Sequence, residues 1–427
     1  MSSTFFDALL WLAVLWPLLL ALPVLHKRLP FPRQLALLPA ALLVLFSADS
    51  SLTVPWLLFG TNFSLDGGTH WILAVIVALW LLAATMLWQT KHPAPNGHLT
   101  TLFLLTLSGN IGVILAADLV TFFCFSTLMG YGFYGLLIHG GNDQVRRAGR
   151  WYLICLIVAD LALFEALLLA ASNTEDLQFP AVHQAMSNAS TTQFYLGLVL
   201  TAFVLKAGIW PLSLWLSTTF SAIYSSRRLL LASVPVTAAL LGMLRWLPVG
   251  EHSFDAWGLS LQILGVTGML YAVSRLYTYP HIKLFPAYGT IVASSLFIAL
   301  LGVGLTQPSI WRDFGYLACP YIAVSVIFLV SLTLLVRRAG HKHQPADTTF
   351  DSIKRLNIWL EQKIQFFKQW SNVQRHEFNA LRTIAGQVLS RYPGTMQHQK
   401  LEQFMDGWSA RMIMVVILAM LLAWLMI

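Results

Sequence analysis

Apolar runs of membrane length follow one another down this chain, about twelve in all. They lie near 5–26, 34–48, 71–89, 100–116, 118–139, 148–171, 193–213, 227–248, 256–277, 284–305, 314–336 and 408–427. A helix crosses the hydrocarbon of a bilayer with roughly 20 apolar residues. In lipid every backbone amide and carbonyl must find its partner within protein, which leaves helices or closed barrels. The expectation is an all-α polytopic membrane protein with about twelve transmembrane helices. Composition agrees, with 57% hydrophobic and only 10% charged residues and a mean hydropathy of +0.69. The first run lacks a basic start and is too long for the core of a cleaved signal.

Charge in the loops sets the orientation. One set of loops carries Lys27, Arg28, Arg33, Lys91, Arg146, Arg147, Arg150, Arg227, Arg228, Arg275, Lys283, Arg337, Arg338 and Lys342. The alternate set carries Asp49, Asp66, Glu175, Asp176, Glu251 and Asp255, with Arg312 as its basic exception. The positive-inside rule places the basic set in the cytoplasm and both termini outside. The net charge of +8 is thereby explained by loop bias, and no nucleic-acid partner is expected. Cys124, Cys155 and Cys319 fall inside apolar runs and read as small core side chains rather than a disulfide or metal framework.

Four segments complete the expected organisation. Residues 1–338 form the transmembrane bundle, with a small outer-face β-hairpin over 54–66 that turns at Gly60, Thr61 and Asn62. Residues 339–348 are a polar linker whose His341 and His343 have no metal-site spacing. Over 349–392, apolar residues recur at three- and four-residue steps from Ile353 through Val388, with Lys and Arg on the other face. That is a long amphipathic helix on the cytoplasmic surface, about 60 Å if continuous. The run 408–427 is a terminal membrane anchor.

The run from Leu198 to Leu216 holds the residue hardest to explain by packing. Lys206 stands near its middle, with Gly208 and Pro211 close behind. A lysine at mid-bilayer costs about 2.5–3.5 kcal/mol on insertion scales, so it faces a partner or a polar cavity. Pro211 removes a backbone donor and interrupts the helix, and ion sites in membrane carriers use charges beside broken helices. Asp160, in the preceding span, is the natural partner of Lys206. Such a pair handles protons or, on the alternative reading, is a static salt bridge. Glu165, one turn beyond Asp160, reads as lying closer to the interface; Asp118 sits between spans four and five and Arg245 late in span eight. No nucleotide loop, HExxH or CxxC motif occurs, and no catalytic site or cofactor is expected.

Three segments stand out: Ala117-Asp118-Leu119-Val120-Thr121-Phe122-Phe123, Val158-Ala159-Asp160-Leu161, and Lys206-Ala207-Gly208-Ile209-Trp210-Pro211 followed by Trp215-Leu216. Val236-Thr237-Ala238 with Arg245, Ile282-Lys283 with Ala287-Tyr288, and Asp66-Gly67 add to them. Taken together, these segments resemble the antiporter-like subunits of respiratory complex I, a family that includes Mrp-type cation/proton antiporter subunits and membrane-bound hydrogenase subunits. The long helix and anchor resemble the lateral brace of that family's distal member.

The chain also departs from that pattern. The family's glutamate in span five falls on Thr127, and its histidine or lysine in span eight on Leu231 or Thr237. Later relay positions fall on Ala293, Tyr316, Pro320 and Val324. Thr and Ser hold water but store no charge at neutral pH. The resemblance implies a subunit of a multi-subunit ion-translocating complex, moving protons or Na⁺ along Lys206, Asp160, Thr127 and Thr237. Asp118, Glu165, Pro211, Arg245 and Lys283 then hold structural or secondary roles. It implies other membrane subunits as partners, no functional monomer, and the bacterial inner membrane. It leaves open whether the complex is redox-driven, as in NADH:quinone oxidoreductase. Two other readings stay open: a non-conducting scaffold that braces a partner, and the membrane subunit of an inorganic-carbon accumulator.

Overall fold

The computed structural model describes residues 3–46, 50–54, 60–89, 98–187, 189–223, 227–278 and 284–341. The expected amphipathic helix 349–392, the anchor 408–427 and Lys283 lie outside them. The chain parts into two compact units near Leu334–Leu335. The described elements belong to the first unit, with only the end of the last helix running past the boundary.

The first run folds as α1 (Ser3–Leu20), then the short α2 (Pro23–His26). The second run is divided into α3 (Pro32–Leu35) and α4 (Leu38–Phe46). A hairpin of β1 (Ser50–Val54) and β2 (Thr61–Leu65) leads to α5 (Gly67–Gln89). Then come α6 (His98–Leu115), α7 (Leu119–Ile138), α8 (Asp143–Asn173), α9 (Phe179–Ser187), α10 (Thr192–Ala207) and α11 (Leu214–Ala222). The rest is α12 (Arg227–Trp246), α13 (Asp255–Thr278), α14 (Phe285–Thr306), α15 (Pro308–Phe314) and α16 (Ala318–His341). Among the described residues eight helices are long and apolar enough to cross a membrane, and 6–20, 32–46 and 192–207 form shorter apolar helices. The protein is an all-α polytopic membrane protein with one small hairpin among the described residues.

The hairpin sits differently from its expected place. Its ladder pairs Ser50 with Leu65 and Val54 with Thr61, so Thr61 and Asn62 belong to a strand and not to the turn. The residue after Val54 is Pro55, which has no amide to give a ladder, so the apolar stretch beyond it makes a poor strand. Alternation then selects β2, whose Thr61, Phe63 and Leu65 are buried. The hairpin is stitched to the bundle by the Ala117 amide on the Asn62 carbonyl at 2.9 Å. Phe63 packs on Phe125 of α7 with ring centroids 5.8 Å apart.

Two helices go beyond the elements expected from the sequence. In α9, Phe179, Val182, His183 and Met186 are buried, the three-and-four spacing of an amphipathic turn laid on the bundle. The other is α15, which begins at Pro308, a position proline favours. The last described helix, α16, runs to His341, three residues into the stretch expected as linker.

α12 is the central post of the bundle, with almost every residue from Leu229 to Met243 buried. An arginine near each end grips a neighbouring helix. Arg227 donates to the carbonyls of Leu136, Leu137 and His139 at 3.1, 3.0 and 2.6 Å, at the end of α7. Arg245 donates to those of Val113, Ile114 and Ala116 at 3.1, 2.7 and 2.5 Å, at the end of α6. Terminal carbonyls of a helix have no partner within it and carry its negative dipole end, so a guanidinium satisfies both needs.

Candidate functional site

The site begins with how α10 ends. Gly208 takes φ +64°, the left-handed region open to glycine at little cost. Its amide reaches the Leu205 carbonyl at 3.2 Å, and the Ile209 amide reaches the Val204 carbonyl at 3.2 Å. These two bonds are the Schellman closure of a helix C-terminus. A β-carbon at Gly208 would also stand 3.3 Å from Leu216 and from the Trp215 ring. The chain then turns through Pro211 and resumes as α11, so the expected discontinuous helix is present. The Trp215 indole reaches back across the break and donates to the Leu205 carbonyl at 2.9 Å. Lys206 therefore stands in the last turn of α10, where the negative end of the helix dipole favours a cation.

The Lys206 ammonium lies 2.7 Å from Asp160 Oδ1 and donates to Ser126 Oγ at 2.7 Å. Lys206 is 9% exposed, Asp160 7% and Ser126 1%. Three helices thus meet at one charge: α10 supplies the cation, α8 the anion and α7 the hydroxyl. A small cavity opens beside the ammonium, lined by Ser126, Tyr152, Cys155, Leu205, Trp215 and Pro235 among others. It is about the size of a single water. Tyr152 is fixed there by its ring on Trp215, centroids 5.1 Å apart, and on Phe133, 5.7 Å apart.

The other expected residues fall in different places. Thr127 does not join the pair: its hydroxyl donates to the Cys124 carbonyl of its own helix at 2.8 Å, and its neighbour Ser126 takes the place expected for it. One residue turns a helix by about 100°, and only the packing angle of α7 decides which of the two faces Lys206. Thr237 is buried in α12, about half a turn past the Pro235 that lines the cavity. Glu165 is exposed on the far side of α8 from Asp160.

Asp118 is a structural cap. Its Oδ1 accepts the Thr121 amide at 2.7 Å, while Oδ2 accepts the Thr121 hydroxyl at 2.6 Å and the Asn62 amide at 2.7 Å. It starts α7 and ties it to the hairpin. Arg245 caps α6 as described and stacks over the Phe179 ring at 5.9 Å.

A second polar cluster, where α9 meets the end of α12, was not expected from the sequence. His183 of α9 meets Glu251 Oε1 at 2.9 Å through Nδ1 and the Arg245 carbonyl at 2.9 Å through Nε2. Hydrogen bonding from His183 holds the Glu251 carboxyl below its usual range; burial opposes this, and the charges of His183 and His252 assist it. Nearby, burial raises the Asp66 carboxyl, but the Thr69 amide and hydroxyl and the charge of Arg245 outweigh it and the net shift is downward. The sequence signal for the cluster is the spacing of Phe179, Val182, His183 and Met186, which places a histidine on the inner side of a short helix.

Fold and site together define a multi-pass membrane protein whose core holds a lysine–aspartate pair at a broken helix. Residues 116–356 match the family described as NADH:quinone oxidoreductase/Mrp antiporter, transmembrane. That stretch is more than half of the chain, and the chain belongs to this family.

Among curated relatives, a probable K⁺/H⁺ antiporter component of Rhizobium meliloti (strain 1021) is 34% identical over 170 residues, 38% of this chain and 31% of that protein. The NADH-quinone oxidoreductase subunit N of Laribacter hongkongensis (strain HLHK9) is 24% identical over 274 residues, 62% of this chain and 55% of that protein. The chain thus spans between about a third and a little over half of the length of these relatives. The solved Mrp complex of Dietzia sp. DQ12-45-1b contains a chain that superposes with a TM-score of 0.66 at 18% identity, covering 81% of this chain and 38% of that one. A membrane-bound sulfane sulfur reductase, an archaeal respiratory complex, gives 0.61 at 17% identity, covering 79% and 71%. At those identities the two structures speak for a shared fold.

Proposed function

We propose that the chain is an ion-translocating subunit of a multi-subunit membrane complex in the bacterial inner membrane, with protons as the first candidate cargo and Na⁺ as the second. The observation that carries this reading is the 2.7 Å Lys206–Asp160 pair at the break in α10. Two charges buried side by side tolerate each other; either alone is costly. Any motion that parts them therefore favours transfer of a proton off the ammonium or onto the carboxylate. The break supplies the means of motion, because α10 and α11 are joined by a short turn and not by a continuous ladder. Ser126 holds the ammonium from a third helix and offers a hydroxyl that both donates and accepts. The family membership and the names of the relatives support the same reading.

The test is proton flux in vesicles that hold the whole complex. Lys206→Ala is expected to abolish flux while the complex still assembles. Flux at the intact level would sink the reading, and loss of assembly would point to a static salt bridge. The scaffold reading also has an observation in its favour. The cavity beside Lys206 has room for about one water, and its lining is largely apolar. On that reading the intact complex would carry normal flux through other subunits with Lys206→Ala in place.

A further inference from the structure

α8 is the one described helix with acids on two different faces of its membrane-spanning part. Asp160 faces inward to Lys206. Glu165 comes five residues later, which turns it by about 140° around the helix, and it is exposed. It stands in a stripe of exposed apolar side chains: Ile154, Ile157, Val158, Leu161, Phe164 and Leu168, with Leu161 64% exposed. Ala171, the last apolar residue of the helix, lies about 9 Å further along. Glu165 is therefore set within the apolar band and not at its rim. It has no ion-pair partner among the described residues. A carboxylate facing lipid at that depth is costly, and such groups almost always face protein or a water-filled cavity.

We propose that the outward stripe of α8 is the docking face for a transmembrane helix of a different subunit, one that carries a lysine or arginine at the depth of Glu165. Charge complementarity selects this occupant. A second copy of this chain offers no exposed cation in the middle of a described span. The chain's own apolar run 408–427 has one ionisable group, Arg411, close to its start. Arg411 stands three residues from the start of that run and every residue after it is uncharged, so the run has no cation within its apolar stretch. α13 provides the contrast: its outward face, with Leu259, Ile263, Val266 and Leu270 exposed, carries no charge between Leu259 and Leu270 and suits lipid there. The partner would cover the helix whose inner face holds Asp160, so docking on α8 also bears on the pair. The inference rests on the chain working within a complex.

The experiment uses the full chain in its native membranes. A photoreactive residue is placed at Leu161 or Leu168 on α8, and at Ile263 on α13 as control. The α8 positions are expected to label another integral membrane polypeptide, at a residue within one helical turn of a Lys or Arg, while position 263 labels lipid. Glu165→Lys is expected to reduce recovery of that polypeptide in mild detergent by about tenfold or more, and Glu165→Gln by less. Exchanging the mapped Lys or Arg for Glu is expected to restore recovery with Glu165→Lys. Labelling of lipid alone, of 408–427 or of a second copy from the α8 positions overturns the proposal, as does unchanged recovery with Glu165→Lys. If the charge-reversed chain fails to insert, the labelling of the unaltered chain and the Glu165→Gln recovery decide. A chain that migrates as a monomer in native detergent sinks the complex reading as well; a complex that stays intact without α8 labelling sinks only the docking face.

Discussion

Lys206 sits in a place where each neighbour answers one of its needs. The end of α10 offers partial negative charge, Asp160 offers full charge, and Ser126 takes one more of its three protons. Removing one member of a buried pair costs about 3–5 kcal/mol, because the other charge is left alone. Asp160→Asn and Lys206→Met are each expected to lose stability of that order, and the double variant to recover most of it. Thermal unfolding of the purified complex reads this as a double-mutant cycle, and purely additive losses would show that the two residues do not act as partners. The hydroxyls next to each other on α7 separate the two candidate roles more finely. Ser126→Ala is expected to slow flux, since it removes a bond to a charged group worth about 1.5–3 kcal/mol. Thr127→Val is expected to leave flux near normal, since that hydroxyl serves only its own helix. Equal effects of the two substitutions in the vesicle assay would contradict the geometry.

At the scale of elements, the bundle is held by groups that finish helices. Arg227 and Arg245 close α7 and α6, Asp118 opens α7, and the Gly208 closure frees α10 to stop within the core. His183 instead binds α9 to its neighbours, through the Arg245 carbonyl at the end of α12 and Glu251 in the loop beyond. The pH dependence of the His183–Glu251 contact follows from the lowered Glu251 carboxyl. A carboxyl with a depressed folded value stabilises the fold above its unfolded value, near 4.3. That contribution fades as pH falls from there through the folded value. Glu251→Gln is therefore expected to be less stable than the unaltered chain at neutral pH, with the gap closing under acid below about pH 4. The side chain is 43% exposed, so the gap is small. Melting curves across that range check the sign; a gap that widens under acid would refute it.

On the scale of the whole molecule, the described part of the first unit is a bundle around α12 with the Lys206–Asp160 pair inside, and the chain continues well past it. We propose that residues 349–392, whose sequence pattern fits one amphipathic helix, brace a partner subunit along the cytoplasmic face, since such a helix, about 60 Å long, would exceed the width of one small bundle. Deleting 349–427 is expected to leave the earlier spans inserted and to release the partner on detergent extraction. Full co-purification of the partner with the shortened chain would reduce the segment to a lipid-surface helix.

Much of this was legible in the residues alone, for reasons of solvent. Hydrocarbon forbids unsatisfied backbone, so apolar runs of the right length had to be helices, and eleven of the twelve expected spans correspond to described helices. A lysine in such a run had to have a partner, and Asp160 stood near the middle of the preceding span as Lys206 does in its own. Gly208 and Pro211 marked the break because one permits a left-handed turn and the other lacks an amide. What the sequence could not decide was direction around each helix axis. Ser126 and Thr127 are chemically alike and differ by one step of about 100°; only the packing of α7 against α8 and α10 chose Ser126. Asp160 and Glu165 both lie in one apolar helix, and only its packing sent one inward and the other out. The hairpin slipped along the chain because alternation is set by which side chains the bundle can bury. Local chemistry dictated which elements form and where they stop, while rotation and register depend on contacts between segments far apart in sequence, so they existed only once the chain had folded.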